Sequence, residues 1–69
     1  MTNEQIERVF TYHAPKGTQQ ERYVSIRDQA RAFALFLNKN CPESREKSIS
    51  ITKLQECVQM ANASIAINE

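Results

Sequence analysis

Pro15, Gly17 and Pro42 are the only glycine and prolines in 69 residues. These two residue types are the strongest local breakers of regular structure. Two long stretches, one on each side of Pro42, are therefore free of punctuation. Both are too long for ordinary strands and suit helices. Their apolar residues carry the matching period. Tyr23, Ile26, Ala30, Phe33 and Leu37 form one series, and Ile51, Leu54, Val58, Ala61 and Ile65 form the other. Alternating steps of three and four mark the seam of a coiled coil.

The boundaries follow from local chemistry. Thr2 with Gln5 and Thr18 with Glu21 both have the spacing of a capping box. Ser44 suits a helix N-cap, and Pro42 disfavours helix in the residue before it. The expected helices run over roughly 2–10, 18–39 and 44–67. A short connection makes the two long helices antiparallel. Leu37 then faces Ile51, Phe33 faces Leu54, Ala30 faces Val58, Ile26 faces Ala61 and Tyr23 faces Ile65. The predicted fold is all-α: a short N-terminal helix and a two-helix hairpin in a single domain spanning 1–69. Phe10 is expected to anchor the first helix on the hairpin.

"AFALFL", residues 32–37, is apolar on every side of its helix. Ala32, Leu35 and Phe36 point away from the seam, as do Ile49, Cys57, Met60 and Ile67 on the third helix. A hairpin offers no third layer over these rows. The first helix can cover part of them, and other copies of the chain the rest. Self-association beyond a dimer fits so small a chain, which otherwise needs a disulfide or a metal. Neither is expected. Cys41 and Cys57 are separated by about 15 Å in this register, too far for a bridge. With one histidine, they lack zinc-site spacing.

Composition narrows function further. A net charge of +1 argues against binding polymeric DNA or RNA. The N-terminal "MTNEQIERV" has no apolar core of a signal peptide, and no run is long enough for a membrane. A cytosolic setting with reduced thiols is expected. No nucleophile, base and phosphate-loop combination points to an enzyme, and no cofactor is implied. The pairs Glu4 with Glu7 and Glu43 with Glu46 read as solvated surface.

"FTYHAP", residues 10–15, is less ordinary. Tyr12 falls in a loop, where an aromatic either stacks on a base or caps the hairpin with its hydroxyl in water. His13 can meet a base edge, a phosphate or a backbone carbonyl. Arg27 and Arg31 stand one turn apart near Lys16 and Tyr12. They can bind phosphate, or pair with Asp28 and Glu21. Arg45 and Lys47 lie at the start of the third helix. There, free N–H groups attract anions, although a charged and well-capped helix start looks the same.

"FTYHAP", "ERYVSIRDQA", "CPESREKS", "TKLQE" and "ANASIAINE" together resemble the small phage anti-CBASS sponges. The resemblance covers nearly the whole chain, and "SREKS" and "ANASIA…NE" are its most specific parts. It implies a hairpin with a short N-terminal helix, assembled as a homohexamer. It implies pockets between subunits for cyclic dinucleotides such as 3′,3′-cGAMP, and in some members separate sites for cyclic trinucleotides. The ligand is held without cleavage in the cytoplasm of the infected bacterium, so that host antiviral effectors stay inactive. The family's loop aromatic falls on Tyr12, its following polar residue on His13, and its early basic residue on Arg27, where some members carry Lys. Arg8, Lys16, Arg45 and Lys47 complete the candidate cations. Two positions depart from the pattern: Met60 stands where a Trp often precedes "ANA", and Ile67 where a basic residue is common. The rival expectation is a structural or regulatory helical oligomer that docks a protein partner on "AFALFL".

Overall fold

The computed structural model describes residues 1–69. It is all-helical: α1 spans Asn3–Val9, α2 Gln19–Asn40 and α3 Arg45–Asn68. The α1 capping box forms as its sequence predicts. Thr2 Oγ1 accepts from the Gln5 N–H at 3.1 Å, and Gln5 Oε1 accepts from the Thr2 N–H at 2.7 Å. Ser44 caps α3, its hydroxyl accepting from the Lys47 N–H at 3.1 Å.

The second capping box does not form. Thr18 has ψ of 7° rather than the extended value, so its hydroxyl makes no cap bond. Gln19 orders this end instead, its Oε1 accepting from the Lys16 N–H at 3.1 Å. Gly17, at φ 58°, supplies the left-handed residue that the turn into α2 requires.

Two contacts pin the hairpin at opposite ends and make it antiparallel. At the turn, Lys47 Nζ donates to the Asn38 carbonyl at 3.1 Å and meets the Glu43 carboxylate. At the open end, Arg22 forms a bidentate pair with Glu69 at 2.8 and 2.5 Å. Between these contacts Leu37, Ile51, Tyr23 and Ile65 are all half-buried, as seam residues should be.

The seam departs from expectation at Phe33. Instead of facing Leu54, its side chain is 51% exposed and stacks on Phe36, with ring centroids 6.3 Å apart. Ala34 lies beside Leu54 and Ile51 in its place. The true helical repeat of 3.6 drifts against a strict heptad. One turn from Ala30, the small Ala34 is half-buried and the large Phe33 ring turns out.

α1 does not act as a lid. It has no buried residue, and Phe10 is 83% exposed rather than anchored. The segment's polar groups explain this. Thr11 Oγ1 donates to the Glu7 carbonyl at 2.5 Å, and His13 Nε2 lies 2.9 Å from the Arg8 carbonyl. The loop after α1 folds back on α1 itself.

The remaining α2–α3 pair is a single layer, and the chain is only 12 Å thick along its shortest axis. Domains normally bury a core between two layers. Here no apolar side chain is fully buried, and the only buried residues are the polar Gln19 and Lys47. Leu35, Phe36 and Met60 are well exposed on the off-seam rows. Both cysteines are free, with Cys57 exposed. No helix is long and apolar enough to cross a membrane.

Candidate ligand-binding grooves

Two shallow grooves run along the hairpin, and Arg27 lines both. The first, about 420 Å3, has Arg27, Ala30, Arg31 and Ala34 on its α2 side, with Ile51, Leu54 and Val58 among its α3 residues. The second, about 400 Å3, lies toward the open end between Gln20, Tyr23 and Arg27 on α2 and Asn62, Ala63 and Ala66 on α3. Both volumes lie in the range of small-molecule sites. The helical repeat places Arg27 on the ridge between them.

The electrostatics of that ridge are simple. Neither Arg27 nor Arg31 joins an ion pair, although Asp28 and Glu21 are near in sequence. Both residues are exposed. A guanidinium without an internal carboxylate keeps its full fork of donors for an external anion, and a phosphate matches that fork bidentately.

The other candidates sit apart from this ridge. Tyr12 is 84% exposed in the loop and lines neither groove. Its ring is free on its own chain, so it does not cap the hairpin. Arg27 lies about 12 Å along α2 from Gln19, where the Tyr12 loop ends. His13 takes the backbone option: its Nε2 must donate, because the Arg8 carbonyl only accepts. In the neutral ring, Nδ1 remains an acceptor. The Arg8 and Lys16 side chains join no ion pair.

The two cations at the start of α3 differ. Arg45 is exposed and only loosely paired, 3.8 Å from Glu46. Lys47 is 8% exposed, and its ammonium is engaged by Asn38 and Glu43. Its side chain fastens the turn and offers no free donor face to solvent. The charged helix start is thus mostly a structural one.

The open end holds a second polar cluster. The Arg22 hydrogen bond holds the Glu69 carboxyl below its ordinary range, with smaller help from the Arg22 charge, Gln19 and Lys16, against some desolvation. The same hydrogen bond raises Arg22. In the same half of the hairpin, Arg22 Nε and Asn62 Oδ1 are shielded from solvent without a partner.

Sequence reasoning alone does not find Tyr23, Gln20 or Asn62. Tyr23 reads as a seam residue, yet it is half-buried and walls the second groove. The useful signal is polarity out of place. Asn62 is a carboxamide between Ala61 and Ala63 on the inner side of a packed helix. No group of three or more His, Cys, Asp or Glu side chains is arranged to hold a metal.

Residues 2–66 match the family model described as Acb2/Tad1, hairpin domain. Comparison with curated protein sequences and with solved structures finds no match in either. A match over nearly the whole chain, on an all-helical hairpin with a short leading helix, makes this chain a member of the Acb2/Tad1 hairpin family, the anti-CBASS sponges known for taking up cyclic oligonucleotides.

Proposed function

We propose that this chain is a phage-encoded sponge. It holds cyclic dinucleotides such as 3′,3′-cGAMP, and cyclic trinucleotides at further sites, in the cytoplasm of the infected bacterium. It does not cleave them, and CBASS effectors are starved of their signal. The observation that carries the reading is Arg27: an unpaired guanidinium on a ridge shared by two grooves.

A hexamer supplies what one chain lacks. The single layer leaves Leu35, Phe36 and Met60 in water, and burying such side chains contributes about 1.5–3 kcal/mol each. Tyr12 is free of its own hairpin and can reach a neighbour. A 3′,3′-linked dinucleotide has two base faces and two phosphates in a nearly two-fold ring. On a two-fold axis, each subunit contributes one Tyr12 and one Arg27, so that two rings stack on two bases and two guanidiniums meet two phosphates. Three-fold axes of the same dihedral assembly suit trinucleotides, with Arg8, Lys16, Arg45 and His13 as the remaining candidates. Sequestration needs slow release and abundant protein rather than chemistry.

The exposed Leu35, Phe36 and Met60 also support the second reading, a helical oligomer that docks a protein partner. Native mass spectrometry with cyclic di- and trinucleotides separates the two. The expected result is a hexamer that gains three dinucleotides, and an Arg27→Ala hexamer that gains none at the same concentration. A stable oligomer that takes up no cyclic nucleotide would overturn the sponge and favour the partner reading.

A further inference from the structure

Asn62 carries a carboxamide that the chain itself does not use. Its Oδ1 is shielded from solvent and accepts no hydrogen bond. Its Nδ2 donates to no protein group either, unlike that of Asn68, which donates to the Ser64 carbonyl at 2.9 Å in the same helix. Buried polar atoms are almost always partnered, and an orphaned acceptor weakens the fold that contains it. Asn62 is also poorly chosen for helix propensity between two alanines. Nothing in the hairpin explains its presence.

Its surroundings suggest what it is for. Asn62 faces the second groove, opposite Gln20, Tyr23 and Arg27, over a floor made by Ala63 and Ala66. The groove therefore combines an aromatic ring, a free guanidinium, two carboxamides and two small alanine side chains. The last torsion of Asn is broad, so the carboxamide can reorient when a partner arrives. A carboxamide presents one acceptor and one donor side by side. Adenine offers the complement on one edge, the N6 amine beside the N7 acceptor, whereas guanine offers two acceptors there.

We infer that Asn62 is a base-reading residue of the sponge site, selecting adenine through N6 and N7. The inference rests on the sponge reading and extends it from phosphate capture to base choice. Gln20 stands across the groove and Tyr23 walls it, so a base held by Asn62 lies beside Arg27, the phosphate ligand.

The test uses the full chain and Asn62→Leu, which keeps the branched shape of the side chain and removes both polar atoms. Binding of cyclic di-AMP and cyclic di-GMP is measured by calorimetry, and thermal unfolding is followed without ligand. Affinity for cyclic di-AMP should fall at least about tenfold, while that for cyclic di-GMP changes less than about threefold. The unliganded midpoint should stay level or rise, because an orphaned acceptor is gone. Asn62→Ala, which cannot clash, should show the same selectivity. Equal losses for both ligands, no loss, or a fall in midpoint with breakdown of the oligomer would each overturn the inference. A wild-type chain that binds neither ligand but takes up 3′,3′-cGAMP would overturn this inference alone, and one that takes up no cyclic nucleotide would overturn the sponge reading with it. Wild-type binding with no selective loss would overturn this inference alone.

Discussion

The two ends of the hairpin solve the same problem in opposite ways. Each must hold α2 to α3 with one cation. At the turn, Lys47 is buried, its ammonium satisfied by the Asn38 carbonyl and the Glu43 carboxylate, with the Ser44 cap one turn away. At the open end, Arg22 and Glu69 pair in water, and Arg22 Nε and Asn62 Oδ1 are left without partners. Tyr12, Arg27 and the second groove all belong to this looser half. Native structures saturate the hydrogen bonds they need for folding. Groups left unsatisfied or unpaired mark where an external partner enters, so the contrast separates the scaffold from the site.

The sharpest way to break that contrast is at Lys47. Lys47→Ala removes a charge-assisted hydrogen bond, the ion pair with Glu43 and the packed stem of the side chain. It should cost about 2–3 kcal/mol, measured by chemical denaturation at fixed protein concentration. Affinity for a cyclic dinucleotide should be unchanged once the variant is folded. Lys47→Met keeps the stem and should recover part of the loss. A Lys47→Ala chain of wild-type stability with weakened binding would reverse the roles of the two ends.

Tyr12 gives the complementary pattern. Because its ring is 84% exposed on its own chain, Tyr12→Ala should leave the hairpin's helical signal and unfolding midpoint in place. Loss of a stacked base should weaken dinucleotide binding by about 1–3 kcal/mol. Titration calorimetry on the assembled oligomer measures it. Unchanged affinity would end the stacking role, and a large drop in midpoint would mean that Tyr12 is a packing residue between subunits.

The scaffold is more legible in the sequence than the site. Three breakers and two apolar series define the helices and their antiparallel order, because those signals are local and periodic. Phe33 escapes because a heptad template ignores the drift of a 3.6-residue helix. Phe10 escapes because hydrophobicity says that a side chain wants cover, but not which chain provides it. Thr18 has the right residue type and spacing for a cap, yet the Gly17 turn gives it the wrong backbone angle. The site is harder still. Arg27 stands out only once its missing carboxylate is visible, and Tyr23 and Asn62 look like packing until the groove between them is seen. The family resemblance reaches Tyr12 and Arg27 as ligand residues, and its "ANASIA" stretch includes Asn62 without giving it a role.

The weakest effect belongs to the Arg22–Glu69 pair, and its pH dependence has a definite sign. The hydrogen bond from Arg22 depresses the Glu69 carboxyl in the folded chain, so the folded state binds the proton less readily than the unfolded one. The contribution is fully present above the ordinary carboxylate value of about 4.5 and is lost as pH falls through the depressed folded value. Arg22 is raised and stays charged throughout, so Glu69 alone sets the window. Exposed pairs are weak and screened by salt. Glu69→Gln should therefore leave global unfolding at neutral pH almost untouched. The change should appear as faster amide exchange in the last turn of α3, and acidifying the wild type through the depressed Glu69 carboxyl should reproduce it. In the variant, exchange at that end should no longer respond to pH beyond the intrinsic chemical rate. If instead Glu69→Gln unfolds the hairpin as Lys47→Ala does, the open end is as tightly built as the turn, and unsatisfied groups there cannot be read as marks of a binding site.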